Sequence, residues 1–265
     1  MDTGNKRIRL ITLAGPAEPL SRMLASRLNA DLIVVNPAKT PGLAEIVKES
    51  FSSYGALVLI MACGIAARMT GPLLRSKYTD PAVVVTDRAG LYAISLAGGH
   101  EGGANQLACD VASLTGGEPV ITTGTEADRL AAVGVGYQSR ATAADIEHAV
   151  IAGLELCGLT PDGIKFLSTG LIKWEDREIR QAACKLGLLL RYFPNHKLSR
   201  LDGVSAPSQA AMRHFSIKGV SEQCALLSLK EPEIILPRTV FSPVTIAVAR
   251  EKFSWSASAP EEKKI

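Results

Sequence analysis

Residues 56–62 read "ALVLIMA", seven apolar residues with no alternation. A strand that is half exposed alternates apolar and polar side chains, whereas one covered on both faces of a parallel sheet does not need to. The run passes into "CGIAARMTGPLL" (63–74), which has helical spacing, with Gly64 placed to ease the turn from strand to helix. Working outward, "IRLITL" (8–13) reads as a first strand closed by Gly15 and Pro16, followed by a helical "PLSRMLASRLNA" (19–30). "DLIVV" (31–35) reads as a strand and "GLAEIVKESF" (42–51) as a helix. Downstream, "PAVVVTDRAGLYAISLAGG" (81–99) gives two strands joined at "DRAG", with Asp87 opening the turn and Gly90 inside it. Leu107, Ala108, Val111 and Leu114 then share one helical face, and "PVIT" (119–122) returns as a strand.

The polar stretch "TGTEADRLA" (123–131) marks a boundary, after which the pattern restarts. "AAVGVG" (131–136) is a small-residue strand leading through "YQSRAT" into a helix near 143–157. "IKFLST", "EDREIRQAACKLG" and "LLLRYF" continue the alternation. A helix opened by Ser205 and Pro207, another near 220–229 and a closing strand "VTIAVAR" (244–250) follow. The predicted fold class is α/β, with two α/β lobes, each a mostly parallel sheet flanked by helices. The predicted domains are 1–128 and 129–250, and residues 251–265 lose periodicity and read as a disordered tail.

Composition narrows the function. With 47% hydrophobic residues in 265, the chain has ample core, and a net charge of +3 without Lys/Arg runs argues against a nucleic-acid face. The five cysteines (Cys63, Cys109, Cys157, Cys184, Cys224) are scattered, odd in number and lack C-x-x-C spacing, so neither a zinc site nor a disulfide framework is expected. His148, His196 and His214 show no ligand spacing, and no metal site is assigned. No run approaches the roughly 18 apolar residues of a membrane span, and the N-terminal apolar run is short for a signal peptide; the expected location is the cytoplasm.

The strand-to-helix bend "GGHEGG" (98–103) carries the candidate chemistry. Gly98, Gly99, Gly102 and Gly103 expose backbone N–H groups at the start of a helix, a nest that attracts a carboxylate, a phosphate or a developing oxyanion. The bland alternative is a tight bend whose glycines serve packing alone. His100 beside Glu101 reads either as acid/base machinery or as a solvated pair. "VGVGYQSRA" (133–141) lacks the third glycine of a dinucleotide loop, which is Ser139 here, and no Walker lysine or G-x-S-x-G elbow is present.

The run 64–128, with "TDPAVVV", "GHEGGAN" and "PVITTGT", closely resembles the N-terminal domain of the CbiG family, the cobalt-precorrin 5A hydrolases of anaerobic cobalamin biosynthesis. The second half resembles that family's CobE-like C-terminal domain through "VGVG", "STGLIKWED", "PSQA" and "GVSEQCALL". Where the family writes Cys-Arg-Arg-Gly after the glycine strand, this chain has Tyr137, Gln138, Ser139 and Arg140, and the family's variable middle segment is missing or reduced. The resemblance implies opening of the δ-lactone of cobalt-precorrin 5A with release of acetaldehyde, giving cobalt-precorrin 5B. It implies His100 or Glu101 as proton carriers. Substrate contacts fall to Gly64, Arg68, Asp87, Gly99, Gly102, Gly103, Asn105, Gly136 and Arg140. Arg75, Lys77 and Arg88 are further carboxylate partners. No cofactor is expected, since the cobalt arrives in the substrate. The expected partner is the tetrapyrrole, with no nucleic acid and no membrane, and with neighbouring enzymes of the pathway as candidate contacts. A corrinoid carrier without catalysis and a nucleotide-dependent α/β oxidoreductase are the competing readings.

Overall fold

The computed structural model of the chain describes residues 6–36, 41–201 and 219–252. It divides into two compact units, Met1–Ala127 and Asp128–Ile265. The helix expected at Ser205 and Pro207, the "PSQA" stretch, His214 and residues 253–265 of the expected tail lie outside the described residues. Among the described residues no helix is long and apolar enough to cross a membrane.

The N-terminal unit runs β1 (Ile8–Leu13), α1 (Glu18–Leu28), β2 (Asp31–Val35), α2 (Leu43–Ser53), β3 (Ala56–Ile60), α3 (Cys63–Thr70), β4 (Ala82–Thr86), β5 (Tyr92–Ala97), α4 (Ala104–Thr115), β6 (Glu118–Val120) and α5 (Gly124–Ala127). The sheet order is β2-β1-β3-β4-β5-β6. β1 to β4 are parallel, β5 is antiparallel to β4, and β6 is parallel to β5. All five residues of β3 are buried, and so are all five of β4. The reason is a helix layer on each face. Leu57 and Leu59 pack with Ile11, Val47, Ala66 and Val83 under α2 and α3. Val58 and Ile60 pack with Leu10, Leu24, Val84, Leu107 and Val111 under α1 and α4. Each such side chain contributes roughly 1.5–3 kcal/mol when fully buried, so central strands covered twice are almost wholly apolar, with Thr86 at the end of β4 as the exception.

The β4–β5 connection is the hairpin turn expected at "DRAG". Gly90 has φ +70°, its N–H donates to the Asp87 carbonyl at 3.0 Å, and the Asp87 carboxylate accepts from the N–H groups of Ala89 (2.8 Å) and Tyr92 (2.9 Å). Gly64 departs from expectation. It is the second residue of α3 and has ordinary backbone angles, so the turn out of β3 is made by Ala62, in extended conformation, and not by the glycine.

The C-terminal unit contains β7 (Ala131–Tyr137), α6 (Ala143–Leu156), β8 (Ile164–Gly170), α7 (Arg177–Leu186), β9 (Leu189–Phe193), α8 (Asn195–Leu198), α9 (Ser221–Leu227), β10 (Pro232–Phe241) and β11 (Val244–Glu251). The order is β10-β11-β7-β8-β9. β7, β8 and β9 are parallel, while β11 is antiparallel both to β7 and to β10, so this sheet is mixed. A short turn between β10 and β11 permits only antiparallel pairing. β10 was not evident from pattern, because Pro232 and Pro237 interrupt it; proline is tolerated at a sheet edge, and β10 is the edge, with register shifts on either side of Leu236. Glu251, assigned by sequence to the tail, belongs to β11, and the Lys252 N–H donates to the Glu231 carbonyl at 2.9 Å. β11 is paired on both sides, which holds its end in place.

Candidate active site

The bend 98–103 leaves the end of β5 and enters α4. Gly98 and Gly103 have φ +68° and +87°, left-handed values that favour glycine. The Gly98 carbonyl accepts from the Ala104 N–H and the Gly99 carbonyl from the Asn105 N–H, both at 3.0 Å. The loop therefore satisfies the first donors of α4 itself, and the anion nest expected across the whole bend is reduced at those two positions. Gly102 is buried against the Gly98 backbone: a Cβ there would stand 2.6 Å from the Gly98 oxygen, and the Gly102 carbonyl accepts from Lys6 Nζ at 2.9 Å. Gly102 is thus explained by packing. Gly103 is half-buried, and its N–H has no intramolecular acceptor among the described residues.

His100 is half-exposed, at 52%, and its Nδ1 lies 3.5 Å from Oε1 of Glu126, whose side chain is 1% exposed. Glu126 takes part in a chain of buried and half-buried polar groups. The Thr123 hydroxyl donates to Oε2 of Glu126 and accepts from Nδ2 of Asn105 at 3.0 Å. Oδ1 of Asn105 accepts from the Ser95 hydroxyl at 2.8 Å. Asn105, an expected substrate contact, is buried and has each end of its amide hydrogen-bonded within this network. Gly99 makes the approach possible, because a Cβ there would fall 2.8 Å from Cγ2 of Thr123 and 3.2 Å from Oδ1 of Asn105.

Glu101 is turned to other work. Its Oε1 accepts from Lys77 Nζ at 2.8 Å, and this bond is the main cause that lowers the Glu101 carboxyl below its ordinary range and raises the Lys77 ammonium above its own. Lys77 sits in a turn built by Asp80, whose carboxylate accepts from the N–H groups of Arg75 (2.7 Å) and Ser76 (3.0 Å). Asp80 is the turn-former that its position before Pro81 predicts.

The other sequence candidates separate from this cluster. A Cβ on Gly98 would lie 3.0 Å from the Pro81 carbonyl, which places the bend at the start of β4, whereas Asp87 follows its end. The six-residue step from Pro81 to Asp87 puts these sites about 20 Å apart along the sheet. Because Ile60 pairs with Thr86, Gly64 also begins on the Asp87 side. The cause is that β5 runs antiparallel, so a connection after β5 emerges opposite the connections after β3 and β4. Asp87 spends both carboxylate oxygens on its own turn. Arg68 is exposed on α3.

In the C-terminal unit, Gly134 and Gly136 lie inside β7 and not at a strand-to-helix turn, which removes the geometry a dinucleotide loop needs. A Cβ on Gly134 would fall 1.8 Å from the Ser221 carbonyl, so its role is to let α9 rest on the strand. The Gly136 carbonyl accepts from the Thr245 hydroxyl at 3.0 Å. Exposed Arg140 donates through Nε to Gln138 at 2.9 Å. Tyr137 lies under Lys173 Nζ, 4.2 Å from the ring centroid, and burial, with Asp176 behind it, pushes its phenol well above its ordinary range.

Glu126 escaped the sequence reading. Its one signal is "TGTE", a Thr-x-x-Glu spacing that marks a helix N-terminus and says nothing of a histidine 26 positions earlier.

Residues 45–126 match the family model "Cobalamin synthesis G N-terminal", and residues 131–249 match "Cobalamin synthesis G C-terminus", with residues 127–130 alone between them. The chain is similar to the cobalt-precorrin-5A hydrolase of Salmonella typhimurium, 43% identical over 110 residues, which is 41% of this chain and 31% of that protein. It is also similar to that of Priestia megaterium, 46% identical over 79 residues, 30% of this chain and 21% of the relative. The matched stretches thus span a third or less of these relatives' own length. Among solved structures, a cobalamin biosynthesis protein G homolog from Sulfolobus solfataricus is 18% identical with a TM-score of 0.38, covering 93% of this chain and 97% of that one. CobE of the cobalamin pathway is 22% identical with a TM-score of 0.41, covering 46% and 89%. Matched in both of its units, the chain belongs to the CbiG family of cobalamin synthesis proteins.

Proposed function

We propose that the chain is a cobalt-precorrin-5A hydrolase, opening the δ-lactone and releasing acetaldehyde. The observation that carries this reading is the His100–Glu126 contact at the glycine bend, which falls wholly inside the segment 45–126 matched by the family model. Lactone hydrolysis needs a base for water, a donor for the tetrahedral oxyanion and a proton for the departing oxygen. Glu101, held ionised by Lys77, is a poor proton donor, so the proton traffic falls to His100. As the water oxygen bonds to the lactone carbonyl carbon, its proton passes to the imidazole. The Gly103 N–H, which has no intramolecular acceptor among the described residues, is the donor we assign to the oxyanion. When the acyl carbon–oxygen bond breaks, the imidazolium returns the proton to the leaving alkoxide. The ring-opened alcohol then loses its hydroxyl proton, and its carbon–oxygen bond becomes the aldehyde C=O as the carbon–carbon bond to the macrocycle breaks. The electron pair left on the ring carbon takes up a proton, which frees acetaldehyde. The cobalt enters as part of the substrate, and exposed Arg75, in the turn that Asp80 builds before β4, is available to a peripheral carboxylate.

The test is acetaldehyde release from anaerobically prepared cobalt-precorrin-5A. The wild-type chain releases it, and His100→Gln lowers the turnover by about 10²–10⁴, the usual worth of general acid–base catalysis, with an unchanged melting curve. A protein that retains coloured tetrapyrrole but never yields acetaldehyde is a carrier, and the hydrolase reading fails.

A further inference from the structure

Resting on the hydrolase reading, we infer that Glu126 is a positioning residue that fixes the tautomer of His100, and that Ser95, Asn105 and Thr123 exist to fix Glu126. The argument follows from which atoms can donate. A serine hydroxyl has one proton; Ser95 gives it to Oδ1 of Asn105, which leaves the amide nitrogen pointing at Thr123. The Thr123 oxygen accepts that N–H, so its own proton is free for Oε2 of Glu126. Reversing the Asn105 amide would demand the Thr123 proton for Asn105 and leave Oε2 of Glu126 without it. Every group in the chain is satisfied in one direction and not in the other, and partly satisfied buried networks are costly.

Oε1 of Glu126 then faces Nδ1 of His100 at 3.5 Å. A carboxylate only accepts, so Nδ1 carries the proton and Nε2 presents its lone pair outward. Nε2 has no partner among the described residues. Glu126 is 1% exposed and cannot swing away to water, and His100, at 52%, keeps an open face for substrate. At 3.5 Å the separation is longer than a tight hydrogen bond, so the carboxylate acts on the imidazole through its charge as well as its direction. Glu126 does not touch substrate; it acts through the imidazole.

The experiment is nitrogen-15 NMR of protein labelled at histidine, which has four such residues, with His100 assigned by its disappearance in His100→Gln. In the neutral wild-type imidazole, Nδ1 bears the proton. In Glu126→Gln, an amide that both donates and accepts no longer dictates the choice, and the Nε2-protonated form gains at least a large minority share. Turnover falls at least ~10²-fold, as when an amide replaces the orienting carboxylate of a catalytic triad. Thr123→Ala shifts both readouts in the same direction by less, and Thr123→Ser restores them, which keeps the test decisive if Glu126→Gln folds poorly. An unchanged tautomer, or turnover within about threefold of wild type in Glu126→Gln, overturns the inference. Full activity in His100→Gln takes the histidine out of the chemistry and overturns the inference. A wild-type chain that never yields acetaldehyde sinks the hydrolase reading instead, and the spectrum then still reports on the Glu126 contact.

Discussion

At Gly99 a single missing methyl group decides whether the bend can lie against Thr123 and Asn105. Gly99→Ala should displace the loop and reduce acetaldehyde release by about tenfold or more, since small misplacements of a catalytic group cost that much. Thermal melting in parallel checks that stability falls far less. The Lys77–Glu101 pair makes a pH prediction. Glu101 has a lowered carboxyl, so any stability the pair adds is present above the unfolded carboxylate range and disappears as the pH falls through the lowered folded value. Lys77→Met should therefore melt slightly below wild type at pH 7, and the gap should narrow as the pH falls through the lowered carboxyl range; because Lys77 is well exposed and Glu101 about a third exposed, the gap is small. Thiol reactivity tests burial directly. Cys184 is exposed and should label quickly with maleimide in the native protein. Buried Cys109 and Cys224 should label only after unfolding, and burial pushes the Cys224 thiol up, which leaves little thiolate to react.

Between elements, α9 lies hard against β7 at Gly134. A methyl group on Gly134 would overlap the Ser221 carbonyl and crowd the Ala225 nitrogen at 2.6 Å, both backbone atoms that cannot turn aside. Gly134→Ala should cost about 2–3 kcal/mol by urea denaturation, in the range of overpacked cores. Gly163→Ala in the same unit meets nothing within 4 Å and should stay within about 0.5 kcal/mol of wild type. The two glycines sit in equally plausible strand and turn contexts in the sequence. Only the helix that lands on one of them separates their fates.

Over the whole molecule, each unit has its own sheet and its own buried side chains, from Leu57 and Val84 in one to Val133 and Ile246 in the other. Fragments 1–127 and 128–265 should each give a cooperative thermal transition when expressed alone; a fragment that melts without cooperativity shows that its core is incomplete. What the sequence determined by itself was local. Uninterrupted apolar runs such as 56–62 announced buried strands, "DRAG" announced a hairpin, and a histidine among four glycines drew attention to the bend, because period, turn chemistry and glycine content act over a few residues. It also carried the family resemblance. The tertiary structure alone decided the rest. The antiparallel turn of β5 sends Asp87 and Gly64 to one edge of the sheet and His100 to the other. The pairing of Ile94 with Val120 makes β6 parallel to β5, so the chain leaves both strands toward the same end of the sheet, where Glu126 meets His100. Contacts between distant segments depend on strand direction and register, which short-range pattern does not encode.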